Sequence, residues 1–145
     1  MTLRWRRHVR IACAVLLVAW CATSWTLSSQ SDPEAFVGVH FHLNDKVEHM
    51  IEYGAAGFLA AGAIGSVGRL PAWIAAVIFC ALWGMSDEFH QSFVPGRDSS
   101  VYDLAADVTG GAAGALVFSF AARRRSPPGG EAHETQPSTK ELRRP

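Results

Sequence analysis

Two short stretches hold most of the groups in this chain that can do chemistry. In the first, Asp45, His49 and Glu52 recur at i, i+4 and i+7, which puts all three on one face of a helix. The second is SDEFHQSFVPGRDSSVYDLAAD, residues 86–107, where five carboxylates stand with a histidine, a glutamine and an arginine. Within it Glu88 and Gln91 are three apart, Asp103 and Asp107 are four apart, and Arg97 follows a Pro-Gly pair. Asp, His and Glu on one face are the donor types of a divalent-cation site. A carboxylate held at a hydrocarbon edge, Glu88 or Asp107, is a candidate general acid or base. The fork of Arg97 suits a phosphate or carboxylate.

Each of these has a plainer reading. Interfacial acids meet water. Glu88 with Gln91 can simply hydrogen-bond between helices, and Arg97 can clamp Asp103 or Glu88. Lys46 can pair with Asp45 or Asp103, or snorkel to head groups. His90 lies about 200° round the helix from Glu88 and reads as a supporting or surface residue, with Asp87 as its acceptor. No HExxH is present, and Ser92, Ser99 and Ser100 have no base at fixed spacing. Asp98 reads as loop surface. His40 and His42, alternating in a connector, read as incidental.

These groups sit among very apolar runs. The chain has 145 residues, one domain's worth, with 13 basic and 13 acidic side chains and no net charge. Residues 1–10 are basic, and an apolar run follows at 11–27. That order also describes a signal peptide, with small residues around Cys21 to Ser24. The length of the run, and Trp20 and Trp25 placed as interfacial anchors, favour an uncleaved span. Further helices are expected at 47–67, from Pro71 to about Gln91, and from Val101 to Ala122. A tight turn falls at Gly68-Arg69 and a type II turn at Pro95-Gly96. Four segments of about 17–22 residues each match a hydrocarbon core of about 30 Å. The expected fold is an all-α integral membrane bundle of four transmembrane helices. Residues 123–145, charged and rich in Pro and Gly, are expected to be disordered.

Basic residues set the orientation. With the N-terminus in the cytoplasm, Arg4, Arg6, Arg7, Arg10, Arg69, Arg123, Arg124 and Arg125 are all inside, and only Lys46 and Arg97 are outside. N-in, C-in follows, and the basic ends need no nucleic-acid partner. Cys13, Cys21 and Cys80 lie in apolar runs without zinc-ligand spacing and read as buried hydrophobes. The orientation brings every ionisable stretch to one external rim. Small residues lie below each polar head: Ala56 and Ala63 below Glu52, Gly84 and Ala81 below Glu88, Gly110 and Gly114 below Asp107. Such stripes let helices approach closely in lipid and turn the polar heads toward one another. Asp45, Lys46, His49, Glu52, Glu88, Gln91, Arg97, Asp103 and Asp107 are therefore the candidate ligand-binding residues, in a pocket built by spans two to four. Asp45, His49 and Glu52 are the candidate metal ligands. No cofactor is required, though a divalent cation fits.

DKVEH at Asp45 to His49, DEFHQSFVPGR at Asp87 to Arg97 and DLAADVTGG at Asp103 to Gly111, in this order, resemble the VanZ family of small bacterial membrane proteins. The resemblance covers roughly Asp45 to Ala122, and many relatives carry Asn where this chain has Asp107. It implies a multi-pass protein of the bacterial cytoplasmic membrane, with residues 11–122 as the membrane domain. It also implies an envelope role near peptidoglycan or its lipid-linked precursors, in a family named for a protein linked to resistance to the glycopeptide teicoplanin. Binding of an envelope ligand is the favoured function. The alternatives are an enzyme acting on an anionic lipid-linked head group, with Glu88 or Asp107 as base, and a cation or proton pathway. The pathway is disfavoured because the inner halves of the spans lack ionisable groups to continue it.

Overall fold

The computed structural model describes residues 3–38 and 44–124. His40, His42 and residues 125–145 lie outside the described residues. The described chain is all helical: α1 (Leu3–Ser28), a short α2 (Pro33–Val37), α3 (Asp45–Ile64), α4 (Ala72–Gln91) and α5 (Val101–Arg124). Three of these, within α1, α4 and α5, are long and apolar enough to cross a membrane. α3 is as long as α4, but Glu48, His49 and Glu52 dilute the apolar character of its first turns.

Local chemistry fixes the ends. The Asp32 side chain accepts from Ala35 N at 2.9 Å to start α2, and Gly38, at φ 73°, stops it. The Asn44 side chain accepts from Lys46 N at 3.0 Å to start α3, where Asp45 and Glu48 complement the helix dipole. Arg10 reaches the other end of α3 and donates to the carbonyls of Ala63 and Ile64. The tight turn at Gly68-Arg69 is present, closed by paired bonds between Val67 and Leu70. Pro71 stands one position earlier than expected, as the N-cap of α4. Gly96, at φ 84°, and the Arg97 N to Val94 O bond of 3.1 Å form the Pro-Gly turn.

α3 is central and packs against α1, α4 and, most extensively, α5. The α3–α5 seam is built from glycine. A methyl added at Gly57 would land on the Gly111 carbonyl, one at Gly110 on that of Met50, and one at Gly114 on that of Gly54. Close backbone contact of this kind is how helices associate where lipid removes the hydrophobic drive. The core is otherwise small: Ala56, Ala60, Ala61, Ala76 and Ala115, with Leu17, Tyr53 and Cys80. Large apolar side chains point outward, Val18 at 70% exposure and Phe89 at 69%, while Asp107 is fully buried. Such an inversion suits a protein solvated by acyl chains rather than water. All three cysteines are free.

Candidate functional site

The C-terminal end of α1, the start of α3, the end of α4 and the start of α5 meet at one end of the bundle, and the candidate residues gather there. Lys46 donates to Asp45 at 3.2 Å and to the buried Asp103, tying α3 to α5. Lys46 stands above the apolar body of α3, which begins at Val47. Its hydrogen bond to Asp103 holds the ammonium above the usual lysine range. One turn deeper, His49 Nδ1 lies 2.8 Å from Asp107 Oδ1, and both residues are buried. Glu88 Oε2 accepts from Ser100 N at 2.7 Å, so that a carboxylate from α4 caps the start of α5.

Several sequence readings need correcting in detail. Glu88 bonds across to the start of α5, as its plainer reading allows, whereas Gln91 bonds within α4 and to the loop that follows it. Gln91 Nε2 donates to Asp87 at 2.9 Å, and its Oε1 accepts from Arg97 at 3.2 Å. Arg97 thus holds Gln91 rather than Asp103 or Glu88. Asp87 serves Gln91 and not His90, which bonds Ser29 at 2.9 Å and stacks on Trp25 with ring centroids 4.2 Å apart. Trp25 thus also packs the end of α1 on α4, and Trp20 donates to the Glu52 carbonyl at 3.2 Å. Glu52 turns toward α1, where Ser24 donates to it. Among the described residues, two sets of side chains bring ligand atoms within 4.8 Å of one another: Asp45, His49 and Asp103, and His49, Glu88 and Asp107. Glu52 belongs to neither set, because Ser24 has drawn it away.

A cavity of about 310 Å³ opens beside these groups. Asp45, Glu48, His49, Glu52, Asp87, Gln91 and Arg97 line it from α3, α4 and the loop after α4. Most of the rest of its wall, including Thr23, Ser24, Ser28, Pro33, Glu34 and Val37, comes from α1 and α2, so the first helix shapes the pocket as well as packing in the bundle. Glu88, Asp103, Asp107 and Lys46 lie behind or above the cavity, outside its lining.

Asp87, Ser24 and Tyr53 are the residues that sequence reasoning missed. Asp87 is buried, with Oδ1 unpartnered, and the buried Tyr53 hydroxyl also lacks a partner among the described residues. The i, i+4 spacing of Asp87 and Gln91 was the available signal for the first. The far end of the bundle holds a wider, more open groove of about 890 Å³, walled in part by Arg7, Arg10 and Arg123. Its basic character separates it from the acidic end.

The inverted burial, the glycine seam and the acidic rim are those of a small membrane bundle. The chain belongs to the VanZ/LLP1 family, whose pattern matches residues 11–122. No curated protein and no solved structure matches it. Membership and the apolar helices make it a multi-pass protein of the bacterial cytoplasmic membrane. Its link to glycopeptide resistance is one of family association alone.

Proposed function

We propose that the chain crosses the membrane four times, with both ends in the cytoplasm, and that its acidic cavity faces outward and binds the head group of an envelope ligand. The observation that carries this reading is the cavity lining. Glu34, Asp45, Glu48, Glu52 and Asp87 stand against a single guanidinium, Arg97, which bonds only Gln91 among the described residues. Such walls suit a zwitterionic group, with a protonated amine toward the acids and an anion toward Arg97. Lipid-linked cell-wall precursors and glycopeptides both carry amines and carboxylates. The cavity volume accommodates part of such a molecule, leaving the remainder at the membrane surface.

Orientation is supported by Arg7, Arg10, Arg69, Arg123 and Arg124 gathering at the end opposite Asp45 and Arg97. Retention of α1 is supported by Leu17 in the core and by Ser24 on Glu52.

The test is binding of a purified lipid-linked peptidoglycan precursor to the full chain in detergent, with teicoplanin as a second probe. Saturable binding that weakens in Glu52→Gln and in Arg97→Gln is expected. Arg97→Lys separates fork from charge: it should bind worse than the parent if both guanidinium arms are engaged. Equal affinity of the parent and both neutralising variants for either probe would show that the cavity is not the binding site. The enzyme reading is favoured by one feature, the buried Asp107 bonded to His49, which lines the cavity. It predicts turnover of the lipid-linked precursor during the same incubation.

A further inference from the structure

We propose that His49, Glu88 and Asp107 form a site for a divalent first-row transition metal, buried where α3, α4 and α5 meet. This goes beyond the head-group pocket and does not depend on it. One ligand atom from each residue lies within 4.8 Å of the others, and all three residues are buried. The two acids each keep an oxygen that is buried and without a partner among the described residues, Glu88 Oε1 and Asp107 Oδ2. Glu88 is 9% exposed and Asp107 0%, so water does little for either. Against these two carboxylates stands one imidazole, which supplies at most a single positive charge. Buried carboxylates with spare lone pairs are costly unless a cation or a proton meets them.

The neighbouring set, Asp45, His49 and Asp103, shares the histidine but already has its cation. Lys46 donates to both of its acids. Among the described residues the deeper set has no lysine or arginine bonded to it. One imidazole and two carboxylates are a donor set for Mn²⁺, Fe²⁺ or Zn²⁺ rather than for the hard ions Mg²⁺ and Ca²⁺, which take oxygen ligands alone. Each ligand comes from a different helix, and the bound ion would pin all three together at the level of the cavity. Glu88 would stay oriented by Ser100 N, as ligating carboxylates commonly are by a backbone donor.

The test uses the full chain in detergent, stripped with a chelator and then dialysed against Mn²⁺, Zn²⁺ or Mg²⁺. Elemental analysis should find about one Mn²⁺ or Zn²⁺ per chain, with a raised unfolding midpoint and no comparable effect of Mg²⁺. Glu88→Gln, which keeps an acceptor for Ser100, should weaken binding at least about 100-fold, and Asp107→Asn should do the same. Asp45→Asn should leave it unchanged. A folded, fully helical chain that takes up no transition metal overturns the proposal. So does uptake lost in Asp45→Asn but kept in Glu88→Gln, which assigns the ion to the neighbouring set. Equal uptake of Mg²⁺ contradicts the assigned class of ion.

Discussion

His49 and Asp107 meet across the α3–α5 seam, 2.8 Å apart, at the level where the backbones of Met50 and Gly110 come into contact. The two facts are one device. Met50 follows His49 in sequence, and Gly110 lies one turn along α5 from Asp107. Only a helix without a side chain at position 110 approaches closely enough for the imidazole and carboxylate to bond.

Gly110→Leu should therefore separate the pair and open the seam. Overpacking of this kind costs about 1–3 kcal/mol, and more where the obstacle is backbone rather than a side chain. Ala113→Leu, at an exposed position on the same helix, should be tolerated. Thermal unfolding of both variants in detergent checks this: the first should lose midpoint or fail to accumulate, and the second should match the parent.

Removing His49 leaves Asp107 buried without its donor. His49→Ala should cost about 1–3 kcal/mol, the range for leaving a buried polar group without its partner. His49→Ala combined with Asp107→Leu should recover part of the loss, because the stranded acid is gone. A double variant as unstable as the single one would show that the pair's contribution lies elsewhere.

Glu88 has a structural role apart from any metal, since its carboxylate caps α5 through Ser100 N. With chelator present, Glu88→Ala should cost about 1 kcal/mol, the usual value of a lost cap. Glu88→Gln should cost less, because an acceptor remains. Unfolding midpoints measured in chelator separate this effect from ion binding.

Lys46 gives a pH signature. Its folded pKa is raised by Asp103, so the contribution is fully present below the unfolded lysine value of about 10.4 and is lost as pH climbs through the folded value. Stability should fall across that alkaline window in the parent and fall less in Lys46→Met. The reverse order, or identical profiles, would deny the Lys46–Asp103 tie a part in joining α3 to α5.

Much of this arrangement was legible in the sequence because lipid exaggerates the signals. Long apolar runs marked α1, α4 and α5. Gly110 and Gly114 beneath Asp107 marked the seam that α5 makes with α3. The choice of partners was not legible. Glu52 shares an arc with His49, yet it bonds Ser24, because α1 packs on that flank and spacing within α3 says nothing of α1's rotation. Asp87 and Glu88 are neighbours about 100° apart on α4. Both are buried because α4 is covered on one side by α3 and α5 and on the other by the cavity wall, which a single-stripe reading does not allow. Trp25 looked interfacial by position, and the stacking of His90 against it came only with the fold.

In the proposed topology the acidic cavity opens on the outer face of the membrane. Single cysteines at positions 46, 97, 69 and 123, in a chain whose Cys13, Cys21 and Cys80 are replaced by alanine, can be treated with a membrane-impermeant maleimide in intact spheroplasts. Labelling at 46 and 97 from outside, with 69 and 123 reacting only after permeabilisation, is the predicted result. Labelling of 69 and 123 from outside, or of 46 and 97 only in broken cells, would contradict it.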